Sequence, residues 1–333
     1  MSKAAELAAL IGSQSARGYK NAIINGSMDI AQRGTSQTAA GYGTIDRYSL
    51  ALSGATATMT QEAFSTSDRN SLGFEKYLKL AVSTANNNAG IYHKIEANNA
   101  VHLIGSRATF SFYAKGTNPA GGSFQTKPQW YNNSSGGGDN GVEQSLTITS
   151  TWTRYSFTFE IPTPSNTTID TNAYLGFEIL QPAGDTSTTA WELNTTGWQV
   201  EIGETATPFE HEDIGTTLAK CQRYYFRQEY DSAINYLGAG GVYRNTLAML
   251  VMNLPVAMRA APTAIDQSGT ASHYGSWGNE ATTNCSAVPT IRAGDSKTSV
   301  NVDLTFNTLN SATGTYLYRI TNTSGYLGVS AEL

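Results

Sequence analysis

Charged side chains are scarce in this chain. Asp, Glu, Lys and Arg together make up 14% of its 333 residues, whereas about 25% is usual in soluble proteins. The formal net charge is -5, and none of the 21 Lys and Arg residues forms part of a run. Because binding to nucleic-acid phosphates needs clustered cations, we expect no nucleic-acid partner. A surface with so few charges has to be mostly neutral and polar.

Long apolar segments are also missing. No stretch approaches the ~20 consecutive apolar residues of a transmembrane helix, so we expect no membrane span. Near the start, the apolar run from Leu7 to Ile11 follows Glu6 and is shorter than the ~7–15 residues of a signal-peptide core. We therefore expect this segment to be retained in the mature protein.

Sequence motifs of catalysis and metal binding are lacking as well. There is no GxSxG nucleophile turn, no HExxH, no P-loop and no glycine-rich dinucleotide fingerprint. The histidines fall in separate predicted elements, and no pair has the spacing of metal ligands, so we predict no metal site built on them. These histidines are His93, His102, His211 and His273.

Acidic residues cluster near the middle of the chain without forming a catalytic pattern. A glycan-cleaving site needs two carboxyl groups about 5–9 Å apart across the scissile bond. Alternation puts Glu201 on the polar face of a strand and the other acids in the following turn, which favours solvated turn charges. We therefore predict that the chain is not an enzyme. The cluster comprises Glu201, Glu204, Glu210, Glu212 and Asp213.

Short apolar or alternating segments dominate from about residue 20 to residue 214. Turn-rich stretches such as NPAGG and QPAGD separate them. Many short strands without long helical patterns predict a β-sandwich. Trp152, Trp191 and Trp198 lie within regular strand patterns and are predicted to be core residues. The strand candidates are residues 23–30, 47–50, 77–81, 91–95, 109–114, 155–161, 174–179 and 197–202.

A second β region follows a predicted hinge at residues 215–227. Strand candidates in residues 228–333 are 246–254, 299–306, 315–320 and 325–331. The almost continuous apolar run around Met249 and Val251 is typical of a strand that is buried on both faces or against a neighbouring subunit. The Gly-, Ser- and Thr-rich insert from Gln267 to Thr290 is predicted to be an exposed loop.

Several ordered segments resemble the fibre and minor structural proteins of bacteriophage tails. NAIINGSMDIAQRG and TIDRYSL are similar to the first strands of that family, and RATFSFYAKG and TWTRYSFTFEIP to its central pair. GWQVEIGETATPFEHED followed by TTLAKCQRYYF resembles the segment that closes a jelly roll of the carbohydrate-binding-module type. LPVAMRAAPT and the final GYLGVSAEL resemble the C-terminal domain of the same proteins. The resemblance runs from about residue 20 to the end of the chain.

This resemblance implies an all-β architecture with three parts. A short N-terminal helix at residues 1–19 would attach to other virion proteins or hold a homotrimer together, because Leu7, Leu10 and Ile11 share one helical face that needs a partner. Docking of that face on its own domain is the alternative. A jelly-roll β-sandwich follows at residues 20–214, and a smaller C-terminal β-sandwich follows the hinge at residues 228–333.

The resemblance also bears on cysteines and cofactors. A phage protein folds in the reducing bacterial cytoplasm, so Cys221 and Cys285 are expected to be free buried thiols, with a single disulfide as the alternative. No cofactor is expected. Jelly-roll carbohydrate-binding modules often hold a structural calcium ion, and Asp29, Asp46 and Asp139 offer oxygen ligands, but their spacing does not define a site.

Aromatic residues beside polar ones are the candidates for a glycan site. Sugar rings stack on Trp and Tyr through their apolar faces, while polar side chains bind the hydroxyl groups. Trp130 and Tyr131 precede the polar sequence NNSSGGGDN, and two further pairs have the same character. Core packing is the alternative for each. The six candidates are Tyr92, His93, Trp130, Tyr131, Tyr274 and Trp277.

The hypothesis that follows is a virion fibre protein on the surface of the phage particle, which mediates host adsorption by binding surface polysaccharide. Three weak sites on one homotrimer, repeated around a particle, would give high avidity. One alternative is a capsid decoration or connector protein without a receptor role. A second alternative is a depolymerase that cleaves the host glycan, and a secreted carbohydrate-binding module has less support because no signal peptide is evident.

Overall fold

The chain folds into two compact units, Met1–Thr217 together with Leu333 (unit 1) and Leu218–Glu332 (unit 2). This computed structural model describes residues 20–132, 138–165, 170–182, 187–228, 235–278, 281–292, 296–309 and 315–333. The helix predicted at residues 1–19 lies outside the described residues. The prediction of an all-β fold is confirmed, because strands form the sheets of both units and the described helices are all short. The division between the units lies within the short helix Ile214–Gln222.

Unit 1 contains thirteen described strands and two short helices before that division. The helices are α1 (Thr66–Leu72) and α2 (Ala97–Ala100), and the helix at the division is α3 (Ile214–Gln222). The strands are β1 (Ser36–Gln37), β2 (Tyr48–Ser53), β3 (Thr56–Ala63), β4 (Lys76–Thr84), β5 (Asn88–Glu96), β6 (Arg107–Thr117), β7 (Phe124–Thr126), β8 (Pro128–Tyr131), β9 (Gly138–Asn140), β10 (Gln144–Leu146), β11 (Thr153–Glu160), β12 (Tyr174–Leu180) and β13 (Trp191–Ile202).

These strands form two antiparallel sheets around one core. The back sheet has the order β1-β3-β4-β13-β6-β11, and the front sheet has the order β10-β7-β12-β5-β2, with β8 pairing to β12 and β9. Ring contacts join the sheets: Phe110 of the back sheet lies 5.3 Å from Phe177 of the front sheet, and Trp198 lies 5.2 Å from Tyr48. Side chains from both sheets share one apolar cluster, which is the arrangement of a jelly-roll β-sandwich.

The three tryptophans that were predicted to be core residues differ in burial. Trp191 and Trp198 are buried as predicted, and the indole nitrogen of Trp191 donates a hydrogen bond to Gln181 Oε1 at 3.0 Å. Trp152 is only partly buried, so its assignment to the core is wrong. Its ring packs against Phe64 and Tyr77 at 4.9 Å and 5.3 Å, and both of these residues are likewise only partly buried.

The end of β13 differs from the sequence-based expectation. Glu201 is 3% exposed rather than solvated, because the following turn folds back over it. Its carboxylate accepts hydrogen bonds from the backbone nitrogen of Thr207 at 2.9 Å and from the Thr207 hydroxyl at 2.6 Å. Gln199 is buried in the same way and accepts a hydrogen bond from the backbone nitrogen of Glu210 at 2.8 Å. Buried polar groups need such partners.

The first described residues of unit 1 lie beside the same turn. The backbone nitrogens of Lys20 and Asn21 donate to Glu210 Oε2 at 3.0 Å and 2.7 Å. The Asn21 side chain donates to the backbone oxygen of Trp198 at 3.0 Å. The start and the end of the jelly roll are therefore neighbours in space.

Unit 2 is a second, smaller β-sandwich. The strands are β14 (Tyr225–Gln228), β15 (Asn235–Arg244), β16 (Leu247–Asn253), β17 (Ile265–Gln267), β18 (Tyr274–Gly278), β19 (Ala281–Asn284), β20 (Thr290–Ile291), β21 (Ser299–Thr305), β22 (Thr315–Ile320) and β23 (Leu327–Ser330). The small sheet has the order β14-β23-β17 and the large sheet has the order β19-β18-β22-β15-β16-β21-β20, with a shared apolar core.

Two predictions for unit 2 need correction. The insert from Gln267 to Thr290 is not a loop, since it contains β18 and β19, which pair with each other and extend the large sheet through β22. Strand β16 is not buried on both faces, because Leu250 is 1% exposed and Val251 is 47% exposed. Burial of that second face against a neighbouring subunit stays a prediction.

The cysteine prediction is confirmed. Cys221 and Cys285 are both buried thiols that form no disulfide, and burial raises the pKa of the Cys285 thiol to about 12. A search of the described part of the chain finds no helix that is long and apolar enough to cross a membrane.

Candidate functional site

The outer face of the front sheet in unit 1 carries a cluster of tyrosine and polar side chains. Along β5, Ile91, His93 and Ile95 are buried while Tyr92 and Lys94 are less buried. Cross-strand pairing places Glu178 opposite Tyr92, and places Tyr174 opposite Tyr131. We call this surface the tyrosine face, and it comprises Tyr92, Lys94, Gln129, Tyr131, Tyr174 and Glu178.

Two stacked rings form the most prominent part of the tyrosine face. The rings of Tyr131 and Tyr174 lie 4.6 Å apart at an interplanar angle of 27°. The Lys94 ammonium lies 4.6 Å from the centre of the Tyr174 ring, a cation–π distance. The Tyr131 hydroxyl donates a hydrogen bond to Gln129 Oε1 at 2.9 Å. These contacts hold the tyrosine rings in fixed orientations on a regular sheet.

A glycine, Gly176, lies next to the stacked pair, and a Cβ atom there would contact the Tyr174 ring at 3.4 Å. Gly176 is the residue of β12 that pairs with both Lys94 and Gln129 in the neighbouring strands. Gly176 therefore lies among an amide, an ammonium group and an aromatic ring. Such groups bind hydroxyl oxygens and the apolar face of a sugar.

Glu178 is the acidic group of the tyrosine face, and it is 1% exposed. Gln129 Nε2 donates to its Oε1 at 3.4 Å, and Lys127 Nζ lies 3.7 Å from the same oxygen. Lys127 also pairs with Glu143 at 3.2 Å. Burial raises the pKa of Glu178 to about 7, although the Tyr92 hydroxyl and Lys127 favour the charged form. The carboxyl group therefore changes its charge near neutral pH.

The phenol groups stay neutral over a wide pH range. Burial is the main cause that raises the pKa of Tyr92, Tyr131 and Tyr174, and the negative charge of Glu178 adds to the effect. The tyrosine face therefore presents neutral hydroxyl groups and rings, with Lys94 as its cation and Lys127 beside it.

The structure brings together only two of the six sequence-predicted site residues. Tyr92 and Tyr131 lie on the tyrosine face. Their neighbours in sequence, His93 and Trp130, are fully buried on the opposite side of the same strands, so neither ring is available for stacking with a ligand. His93 Nε2 lies 3.0 Å from the backbone oxygen of Ile24, and burial lowers the pKa of His93 to about 3.

The two candidates in unit 2 also differ from each other. Tyr274 is fully buried and donates a hydrogen bond to the backbone oxygen of Tyr326 at 2.6 Å, so its assignment as a glycan-binding residue is corrected. Trp277 is partly exposed, and the guanidinium of Arg319 lies 5.2 Å from its ring centre. Glycan binding by Trp277 stays a prediction.

Sequence reasoning missed four members of the tyrosine face: Lys94, Gln129, Tyr174 and Glu178. The signal was present in YLGFEIL, where Tyr174, Gly176 and Glu178 occupy alternate positions of a predicted strand. What the sequence did not contain was the pairing of β12 with both β5 and β8, which places these residues beside Tyr92 and Tyr131.

The aspartates considered for calcium have protein partners. Asp46 Oδ1 accepts from the backbone nitrogen of Gln32 at 2.9 Å, and Asp139 Oδ2 accepts from the backbone nitrogen of Ser165 at 2.7 Å. Burial raises the pKa of Asp29. No group of three or more His, Cys, Asp or Glu side chains within the described ranges could hold a metal ion. A structural calcium ion stays an expectation from the resemblance.

Sequence comparison gives no relative for this chain: no family model matches, and no curated protein matches. Structure comparison finds β-sandwich proteins at low similarity. The enzymatically active domain of tailspike protein 4 of bacteriophage CBA120 matches with 15% identity and a TM-score of 0.35, over 56% of this chain and 22% of that chain. The family 11 carbohydrate-binding module of a Clostridium thermocellum cellulase matches with 10% identity and a TM-score of 0.33, over 52% of this chain and 97% of that module.

Enzymes occur among these matches. An arabinose-bound α-L-arabinofuranosidase matches with 15% identity and a TM-score of 0.36, over 56% of this chain and 27% of that chain. The prediction that this chain is not an enzyme is therefore corrected, since β-sandwich matches to it include glycan-active enzymes as well as carbohydrate-binding modules. A chain without a catalytic sequence motif can still belong to either class. At this level of similarity, the matches share with this chain a β-sandwich fold.

Proposed function

We propose that unit 1 binds a polysaccharide through the tyrosine face. The observation that carries this proposal is the stacked pair of Tyr131 and Tyr174 beside Gly176. Aromatic rings of this kind pack against the apolar faces of sugar rings. Gln129 and Lys94 lie on either side of Gly176, where they would bind sugar hydroxyl groups.

The site is shallow and mostly neutral, which fits a glycan surface better than a small charged metabolite. A flat sheet face can bind a chain of sugars along its length without a deep pocket. Each contact is weak, so useful avidity would come from several copies acting together. We therefore place this binding within a homotrimer, although the oligomeric state rests on the resemblance alone.

The biological role that we propose is host adsorption by a virion fibre protein on the surface of a phage particle. Ordered segments from residue 20 to the end resemble fibre proteins, and the charge-poor, polar surface suits an extracellular appendage. The N-terminal segment at residues 1–19 would attach the protein to other virion proteins. The polysaccharide would be a component of the host cell surface.

The test is binding to an array of bacterial capsular and O-antigen polysaccharides, followed by titration of the best ligand. We expect the double variant Tyr131→Ala/Tyr174→Ala to lose about tenfold or more in affinity, because removal of the stacked pair costs at least about 1.4 kcal/mol. Tyr243→Ala is the matched control, since Tyr243 is an exposed tyrosine of unit 2. We expect that control to bind as the wild type does.

Two results would contradict the proposal. One is unchanged affinity in the double variant while its thermal midpoint equals that of the wild type. The other is an array on which the wild-type protein, presented at high density, binds no polysaccharide. A loss of affinity in the Tyr243→Ala control as well would point to unit 2 instead.

A further inference from the structure

Three side chains of the tyrosine face form a chain of hydrogen bonds from its buried carboxyl group to its stacked rings. The Tyr131 hydroxyl donates to Gln129 Oε1 at 2.9 Å, and Gln129 Nε2 donates to Glu178 Oε1 at 3.4 Å. Glu178 is buried, whereas Tyr131 is partly exposed. Any effect of Glu178 on a bound saccharide therefore has to pass through the residues that cover it.

Both ends of the Gln129 amide are used in this chain. Its oxygen accepts and its nitrogen donates, so Glu178 and Tyr131 together fix the direction in which the amide points. A charged acceptor makes shorter and stronger hydrogen bonds than a neutral acceptor does. The contact between Gln129 and Glu178 is longer than an ordinary N–H···O hydrogen bond, so it has room to shorten when the carboxyl group is charged. The charge of Glu178 thereby controls how firmly Gln129 and Tyr131 are held.

The surroundings of Glu178 allow both of its charge states near neutral pH. Burial is the main cause that raises the pKa of Glu178 to about 7, while the Tyr92 hydroxyl and Lys127 favour the charged form and Glu143 opposes it. Lys127 lies 3.2 Å from Glu143 and 3.7 Å from Glu178, so it keeps an ionic partner when Glu178 binds a proton. The charged and titratable side chains that act on Glu178 from the neighbouring elements are Tyr92 of β5, Lys127 between β7 and β8, Tyr131 of β8, Glu143 before β10 and Tyr174 of β12.

We propose that Glu178 is a positioning residue for saccharide binding: its charged form orders Gln129 and Tyr131, so that the tyrosine face binds a neutral saccharide more tightly above neutral pH than below it. This inference rests on the proposed function, because it concerns the same site. Linkage then requires the reciprocal effect, in which a bound saccharide favours loss of the proton from Glu178.

The first part of the experiment needs no saccharide. NMR follows the carboxyl carbon of Glu178 and the side-chain amide protons of Gln129 in the full chain from about pH 5 to about pH 9. We expect both signals to change with one common midpoint, because the amide responds to the charge of its acceptor. In Glu178→Gln, the amide signal of Gln129 should not change over this range. A wild-type amide signal that is independent of pH overturns this inference and leaves the proposed function intact.

The second part measures affinity as a function of pH. The array of capsular and O-antigen polysaccharides is probed with the wild-type protein, and the neutral polysaccharide that binds most strongly is then titrated below and above neutral pH. We expect the wild type to bind it about threefold to tenfold more tightly at the higher pH, which is the gain of a charge-assisted hydrogen bond over a neutral one.

Three variants make this result specific. Glu178→Gln has no charge to gain and Gln129→Met has no amide to relay it, so each should bind with the same affinity at both pH values. Glu160→Gln is the matched control, since it removes an exposed carboxyl group, and it should keep the wild-type ratio of affinities. A wild type that binds equally at both pH values, or a Gln129→Met variant with the wild-type ratio, overturns the inference.

Failure of this inference is distinguishable from failure of the proposed function. Binding that is lost in Tyr131→Ala/Tyr174→Ala but does not depend on pH in the wild type overturns the role of Glu178 alone. An array without any bound polysaccharide, or unchanged affinity in that double variant, overturns the proposed function and this inference together.

Discussion

Glu178 couples the charge of the tyrosine face to pH. It is a carboxyl group with 1% exposure, held among Tyr92, Gln129 and Lys127. Burial raises the pKa of Glu178 to about 7, whereas the group titrates near 4.3 in an unfolded chain. Between these two values the folded state binds more protons than the unfolded state, so the contribution of Glu178 to stability falls as pH rises through that window.

The variant Glu178→Gln tests this linkage. Glutamine resembles the protonated carboxyl group, so we expect the variant and the wild type to be similar in stability below about pH 4. At pH 8 we expect the variant to be more stable by about 1–3 kcal/mol, because the wild type then holds a buried negative charge. Calorimetric unfolding over the pH range 4–8 measures the difference.

The control is Glu160→Gln, which removes an exposed carboxyl group at the end of β11. Its difference from the wild type should stay constant across the same pH range. If the difference in unfolding free energy between Glu178→Gln and the wild type is also independent of pH, burial does not control the charge of Glu178.

At the scale of the residue, prediction of the site was limited because successive side chains of a strand alternate between its two faces. Trp130 and Tyr131 are adjacent, as are Tyr92 and His93, and the sequence made all four candidates. Adjacent residues of a strand point to opposite faces, so only one of each pair is able to face solvent. All four side chains have rings and polar atoms, so the residue types alone do not show which member of each pair faces solvent. That depends on how each strand packs in the sheet.

At the scale of the element, the strand pattern of β13 was predictable and its polar residues were not. GWQVEI predicted a strand, and the structure contains one at Trp191–Ile202. Gln199 and Glu201 belong to the face predicted to be solvated, yet both are buried. The turn that covers them comes from residues 203–210, and its hydrogen bonds to Glu201 depend on a tertiary fold that local periodicity does not encode.

The pairing of β5 with β12 depends on close approach at Gly90. A Cβ atom at this position would lie 2.4 Å from the backbone oxygen of Ile179 and 2.4 Å from Leu180 Cδ2. Backbone atoms of a central strand have little room to move, so Gly90→Ala should destabilise unit 1 by about 1–3 kcal/mol, as overpacking usually does. Chemical denaturation followed by tryptophan fluorescence measures this.

Gly121→Ala is the matched control, since a Cβ atom there would meet nothing within 4 Å. Its effect should stay within about 0.5 kcal/mol, which is usual for a surface substitution. Equal stability of the two alanine variants would mean that the front sheet accommodates a Cβ atom at Gly90 without loss of stability. That result would contradict the prediction.

At the scale of the whole molecule, the sequence was sufficient for the all-β class and for a second β region after residue 214. The loop prediction for the insert from Gln267 to Thr290 was wrong. Gly, Ser and Thr are typical of loops, but they also occupy exposed strand positions. Strands β18 and β19 gain their stability from pairing with each other and with β22. Such distant pairing leaves no periodic signal in the insert itself.

Two apolar side chains are exposed on the outer face of the large sheet of unit 2. Val251 is 47% exposed and Leu317 is 41% exposed, and both alternate with buried neighbours such as Leu250 and Tyr318. Exposed apolar patches on a regular sheet are typical of protein interfaces. In the proposed homotrimer, this face would pack against a neighbouring copy.

Light scattering after size-exclusion chromatography tests this assignment. We expect the wild type to have the mass of three chains, and Val251→Asp/Leu317→Asp to have the mass of one, because a buried unpaired carboxylate opposes association. Val142→Asp changes a valine of unit 1 that is 77% exposed and should leave the mass unchanged. A wild-type protein with the mass of a single chain at micromolar concentration would contradict the homotrimer.

The hydrogen bonds from Lys20 and Asn21 to Glu210 have a mechanical consequence. They close unit 1 at its base, so a pulling force applied to the chain on both sides of the jelly roll meets this junction first. Tension passes from residue 20 to residue 210 through a few side-chain contacts and bypasses the strands. The sheets of unit 1 would then come under load only after these hydrogen bonds had broken.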